Sequence, residues 1–392
     1  MNDLFYRYNP WWESNYGTEG LFDRPGIENL MEKYFSSRQV IFLTGLRRVG
    51  KTTLLKLFVS HLIEKKKIEP SHIFYVSLDD YGISKKSITE IVEEYRKILK
   101  LSHKEKVFLF LDEITSKDDF EIQLKNLYDS QNVKIYASSS SASLLKSRKP
   151  YLTGRSFIIE VMPLDFREYL AFKNIKIGRG DNHLVESYFE DYLKTGGIPE
   201  YVLHGNIEYL KELVDDIIYK DIAAFHNVRD VRVLKDFFML LMERSGKAAS
   251  INKMAHILSI SPDTAKRYLR MFADTYLIYI TPRFGKTNER LLSPSKIYAA
   301  DPGIRTLFTG FRDKGSLFEN YVYLKIRNHS PSYVYEDGIE IDFMTDTGDL
   351  IEVKYHGEIN DRQSLLLKKI KARKKTVVHN IYELEELLLA NI

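Results

Sequence analysis

Cysteine is absent from this 392-residue chain, which excludes disulfide bridges and thiolate metal ligands and suits a reducing compartment. Glutamine occurs only four times beside abundant lysine, tyrosine and isoleucine, a depletion of thermolabile amides that leans toward a heat-adapted source. No apolar run approaches the roughly 18–20 residues that cross a bilayer, and Met1-Asn2-Asp3 lacks the basic-then-apolar opening of a secretory leader. The expectation is a soluble, cytoplasmic protein with no membrane partner. Excess charge of one sign is small as well: the formal net charge is only +4, which by itself says nothing about partners.

What is present is more specific. At 392 residues with 44% hydrophobic side chains, the chain has material for two to four domains. Gly45-Leu46-Arg47-Arg48-Val49-Gly50-Lys51-Thr52 spells a phosphate-binding loop directly after the apolar run Val40-Ile41-Phe42-Leu43. Two glycines let the backbone turn tightly enough for successive N–H groups to face one anion, and the helix expected from Thr53 adds the partial positive charge of its N-terminus. Gly45, Arg48, Val49, Gly50, Lys51, Thr52 and Thr53 are therefore the candidate ATP- or GTP-binding residues. Lys51 is expected at the β- and γ-phosphates and Thr52 on Mg²⁺. Gly285-Lys286-Thr287 repeats the end of this motif, but Ile280 stands where its first glycine belongs, so it is set aside.

Val107-Phe108-Leu109-Phe110-Leu111 reads as a strand covered on both faces, ending in Asp112-Glu113. At the carboxyl end of such a strand Asp112 is placed to reach the Mg²⁺ shell and Glu113 to orient or deprotonate the attacking water. The alternative is a solvated acidic strand end. A third run, Ile135-Tyr136-Ala137, leads into Ser138-Ser139-Ser140-Ser141, which reads equally as a hydroxyl near the γ-phosphate or as a polar loop. Arg155, before Phe157 to Val161, is a candidate catalytic guanidinium, acting in its own subunit or a neighbouring one; the alternative is a structural or solvated arginine. An oligomer is compatible with this reading.

The expected organisation is α/β: residues 1–36 a lead-in segment, 37–161 a phosphate-loop core with a parallel sheet and helices on both faces, 162–230 a helical lid, 231–312 a winged helix-turn-helix, and 313–392 a small C-terminal α/β domain. Trp11 and Trp12 are more naturally a plug at a core edge than a base-stacking platform. Residues 231–312 carry 14 Lys or Arg against 6 Asp or Glu, a local excess of +8 that suits a phosphate backbone. Three helices, the third exposing Lys266, Arg267 and Arg270, precede two strands around a polar, basic loop. DNA is the partner this pattern suggests, although winged helices also contact proteins.

In the C-terminal segment Asp342 and Glu352 lie symmetrically about Thr347, so a hairpin sets them opposite one another, and Lys354 shares the face of Glu352. Two carboxylates and a lysine suit metal-assisted phosphodiester hydrolysis. A solvated sheet face is the plainer alternative.

Taken in order, Asn9-Pro10-Trp11-Trp12, Gly45 to Thr53, Leu111-Asp112-Glu113, Gly154-Arg155, Pro163-Leu164-Asp165-Phe166-Arg167-Glu168, Gly196-Gly197-Ile198-Pro199, Leu317-Phe318-Glu319-Asn320, Glu340-Ile341-Asp342-Phe343 and Glu352-Val353-Lys354 resemble the archaeal and bacterial AAA-type ATPases that carry a winged helix and a C-terminal restriction-endonuclease-like domain. The resemblance covers nearly the whole chain. It implies ATP as the nucleotide, strengthens Arg155 as a sensor or finger, and implies a nuclease-like site at Glu319, Asp342, Glu352 and Lys354. Ala137-Ser138 departs from the Gly-Ser usual in that family after the third strand. The function expected is Mg²⁺-dependent ATP hydrolysis coupled to DNA-contacting and nuclease-like domains. Alternatives are a regulatory switch or scaffold that binds a protein partner, and an ATP-gated DNA endonuclease.

Overall fold

In a computed structural model of the chain, residues 2–14, 16–141, 149–178 and 180–391 are described. Packing divides them between two units, Met1–Met162 and Pro163–Ile392.

The first unit is built on five strands, β1 (Val40–Thr44), β2 (Ile73–Ser77), β3 (Val107–Asp112), β4 (Val133–Ser139) and β5 (Ser156–Glu160). They form one parallel sheet in the order β2-β3-β4-β1-β5. Every residue of β1, β3 and β4 is buried, as continuous apolar runs require when helices cover both faces. Insertion of β4 between β1 and β3 sets the chain leaving β1 about 10 Å from the end of β3, two strand spacings away.

An exposed edge such as β2 would present unpaired backbone groups. The lead-in segment covers it. The buried Asn9 side chain accepts from Tyr75 N–H at 2.6 Å and donates to Tyr75 C=O at 2.9 Å, imitating a neighbouring strand. The Trp11 and Trp12 indole N–H groups both donate to Ile73 C=O, at 3.2 and 2.9 Å. Trp12 also stacks on Tyr95, with ring centroids 5.7 Å apart. The paired tryptophans thus seal a sheet edge.

The second unit contains two sheets. Helices Val231–Glu243, Ile251–Ile257 and Pro262–Asp274 accompany three short antiparallel strands, β6 (Ala248–Ala249), β7 (Ile278–Thr281) and β8 (Ser295–Ala299), in the order β6-β8-β7. Each of the three helices begins on a side-chain cap, from Asp230, Ser250 and Ser261 respectively. The connection between β7 and β8 departs from the expected polar loop: it holds a short helix, Thr287–Leu292, whose Leu291 and Leu292 are 78% and 87% exposed. The second sheet joins β9 (Ser332–Glu336), β10 (Ile339–Met344), β11 (Asp349–Val353) and β12 (Lys374–Val378) in the order β12-β11-β10-β9, with β11 and β12 parallel and the other pairs antiparallel.

Two distant motifs meet in this unit. Gly197 C=O accepts from Leu164 N–H at 2.7 Å, and the two backbones approach so closely that a Cβ on Gly197 would fall 2.0 Å from Leu164 O. Asp301, fully buried, accepts from Gly197 N–H at 2.6 Å and caps the helix Pro302–Thr309 through Ile304 N–H at 3.0 Å. Burial pushes its carboxyl up to about 6, against the pull of the backbone donors.

Candidate functional site

The phosphate loop leaves the carboxyl end of β1 and enters the helix Lys51–Glu64, whose N-cap is Gly50. Gly45 and Gly50 have φ of 137° and 92°, and a Cβ on Gly45 would meet Val161 O at 2.2 Å, so the loop's first position admits only glycine. Arg48 is left-handed as well, at φ 64°, and Val49 is buried beneath the turn. Lys51 is 5% exposed and donates to Gly45 O and Leu46 O, both at 2.9 Å, which holds its ammonium across the loop. Thr53 follows in the first helical turn.

Asp112, 2% exposed at the end of β3, joins this loop directly: Thr52 Oγ1 donates to its Oδ2 at 2.6 Å. The Tyr75 hydroxyl, from β2, donates to the same oxygen at 2.8 Å. Ser138, from β4, donates to Oδ1 and accepts from Glu113 N–H at 2.9 Å. Within the serine run, Ser138 is therefore tied to Asp112 and Glu113. Glu113 sits in the left-handed region at φ 48°, a turn that ends the strand and carries its carboxyl out of the sheet. Burial raises its pKa, opposed chiefly by Lys51.

These residues fit a magnesium nucleotide. The donors beside the loop, a hydroxyl and a carboxylate, are the hard oxygens that Mg²⁺ takes in small number, with phosphate and water completing its shell. The helix N-terminus and left-handed loop supply the N–H groups for phosphate.

Arg155 is not brought to this group. Its C=O accepts from Val40 N–H at 2.8 Å, which places it at the amino end of β1, whereas the loop leaves the carboxyl end about 16 Å away along a five-residue strand. Its guanidinium lies 3.3 Å from Asp129 and over the Tyr128 ring. A role within its own site is therefore corrected to a structural one; the remaining catalytic reading is action on a neighbouring copy.

The C-terminal candidates do come together. Asp342 and Glu352 face one another across β10 and β11, with Asp342 N–H donating to Glu352 Oε2 at 3.2 Å and Val353 N–H to Asp342 Oδ2 at 3.0 Å. Lys354 Nζ lies 2.8 Å from Glu352 Oε1, which also accepts from Gln363 at 2.7 Å. Glu319, on the helix Lys314–Ile326, lines the same cleft of about 470 Å³. Sequence reasoning missed the residue at the centre. Lys296 of β8 is fully buried, and its Nζ lies 2.9 Å from Glu319 Oε1, 2.6 Å from Glu340 Oε1 and 2.9 Å from Asp342 Oδ1. Tyr298, two residues on, donates to Glu319 Oε1 at 2.8 Å. Burial and the neighbouring Asp342 charge raise the pKa of Glu319, and burial followed by Asp342 raises that of Glu352.

The parallel sheet and phosphate loop define a P-loop nucleotide-binding domain, and residues 37–170 match the family model of the AAA domain. Residues 186–315 match that of a domain of unknown function. The chain is 31% identical over 357 residues to the uncharacterized protein MJ1544 of Methanocaldococcus jannaschii, covering 85% of this chain and 77% of the relative; it belongs to the family of that protein. An uncharacterized protein of Haemophilus influenzae is 26% identical, with 83% and 84% covered. Among solved structures, the Aeropyrum pernix ORC1 protein in complex with DNA aligns at 11% identity over 78% of this chain and 93% of that one, with a TM-score of 0.34. Among the described residues no helix is long and apolar enough to cross a membrane.

Proposed function

We propose that this chain is a Mg²⁺-dependent ATPase whose nucleotide state governs a DNA-contacting second unit. The 2.6 Å contact between Thr52 and Asp112 carries this reading, because it joins the phosphate loop to the one strand end that also bears a candidate base. Bound MgATP supplies the electrophilic phosphorus and the metal's charge. Lys51 and the loop N–H groups would hold the phosphates, and Thr52 and Asp112 would hold the metal. Ser138 and Tyr75 fix the orientation of Asp112. Glu113 takes the water's proton or aligns the water, and burial of its carboxyl favours that proton's acceptance.

DNA contact rests on the order of elements between Val231 and Ala299, three capped helices followed by a strand pair, and on the third helix exposing Lys266, Arg267 and Arg270 together. That order supports a winged helix-turn-helix. Steady-state phosphate release with and without duplex, junction and single-stranded DNA tests the reading. Stimulation by DNA is expected. Turnover indifferent to every DNA would favour the regulatory switch that binds protein instead, and no turnover at all would remove the ATPase.

A further inference from the structure

Lys296 is an unexpected occupant of the C-terminal cleft. A nuclease-like centre requires carboxylate oxygens free to ligate a divalent ion, and here both oxygens of Asp342 and of Glu352, and Oε1 of Glu319, already have donors. Asp342 gives Oδ1 to Lys296 and Oδ2 to Val353 N–H. Glu352 gives Oε1 to Lys354 and Gln363, and Oε2 to Asp342 N–H. Glu319 Oε1 accepts from both Lys296 and Tyr298. Among the described residues no group of three or more His, Asp or Glu is arranged to hold a metal ion. The residues that the resemblance assigns to a metal therefore do not fit one in this arrangement.

A lone ammonium removed from water costs several kcal/mol, so a fully buried lysine persists only where opposite charge surrounds it closely. Three carboxylates within 2.9 Å supply that charge. Equally, those carboxylates, drawn from the helix Lys314–Ile326 and from β10, repel one another unless a cation lies between them. In metal-dependent hydrolases that cation is the ion. In this chain the position is filled from β8, a strand of the other sheet of the same unit.

We propose that Lys296 is a built-in counter-cation standing where a divalent ion would sit between Glu319 and Asp342, so that this cleft is a metal-independent lock fastening β8 to the C-terminal sheet. It is not a hydrolytic centre. The lock is specific to a single amino group: removing that group while keeping the rest of the side chain's length leaves a vacant, oxygen-lined position of the chemistry that Mg²⁺ or Mn²⁺ prefers.

The test uses the full chain without nucleotide, carrying Asp112→Asn to silence the first unit, and follows free Mn²⁺ by its paramagnetic resonance signal. With Lys296 in place, no Mn²⁺ binding should depend on Asp342: Asp342→Asn should leave the titration unchanged. Lys296→Met should acquire one Mn²⁺ per chain, lose it again in the Lys296→Met/Asp342→Asn double variant, and show an unfolding temperature that rises with Mn²⁺. Saturable Mn²⁺ binding with Lys296 present that vanishes in Asp342→Asn overturns the proposal, as does a folded Lys296→Met protein that takes up no ion. If Lys296→Met does not fold, the comparison with and without Asp342→Asn decides alone. None of these readouts involves ATP turnover, so they stand apart from the function proposed for the first unit.

Discussion

The Tyr75 hydroxyl lies 2.8 Å from Asp112 Oδ2, and the backbone of the same tyrosine is gripped on both sides by the Asn9 side chain. The lead-in segment is thereby connected through one residue to the acid beside the phosphate loop. Asn9→Ala leaves the buried N–H and C=O of Tyr75 without partners, each costing about 1–3 kcal/mol. Urea denaturation should show a loss of about 2–6 kcal/mol. Tyr75→Phe keeps the packing and removes only the donor to Asp112. It should raise the Mg²⁺ concentration needed for half-maximal turnover while leaving stability within about 1 kcal/mol, and an unchanged Mg²⁺ dependence would reduce Tyr75 to packing.

Asp301 gives the second unit a defined pH response. Its folded pKa of about 6 exceeds its reference value of 3.8, so the folded state holds the proton more tightly than the unfolded chain. The carboxyl's contribution to stability is therefore complete below pH 3.8 and is lost as pH rises through about 6. The difference corresponds to roughly 3 kcal/mol. Relative to Asp301→Asn, the wild-type protein should lose about that much in urea unfolding between pH 4 and pH 7. Parallel pH profiles for the two proteins would show that the backbone donors, not burial, set this group's charge.

If the helix Pro262–Asp274 meets a phosphate backbone, its exposed cations should govern the salt response. Each phosphate contact on duplex DNA contributes about −0.9 to the slope of log K against log salt. Replacing Lys266, Arg267 and Arg270 by alanine should flatten that slope by up to about 3 and weaken binding to all duplexes alike. A slope that does not change would move the contact elsewhere.

How much was legible in the sequence follows from how local each feature is. The phosphate loop and Asp112-Glu113 could be read directly because their chemistry is contiguous and lies at the ends of apolar runs that could only be buried strands. The pairing of Asp342 with Glu352 was equally readable, since hairpin symmetry about Thr347 fixes it. Lys296 was not. It lies between Ser295 and Ile297 in a strand where a lysine ordinarily points to solvent, and only the packing of β8 near β10 turns it inward. Tyr75 was hidden for the converse reason: within Ile73-Phe74-Tyr75-Val76 it reads as core, and it is core, apart from one hydroxyl. Arg155 was misplaced because sequence order gives the strand it precedes but not the end of the sheet on which it falls.

The claim on which most depends is that Glu113 acts on water at a nucleotide held by the loop from Gly45 to Thr52. Single-turnover hydrolysis of MgATP by Glu113→Gln, with ATP affinity measured on the same protein, tests it most directly. The account predicts affinity close to wild type and hydrolysis slower by about 100-fold or more. Hydrolysis at the wild-type rate would contradict it.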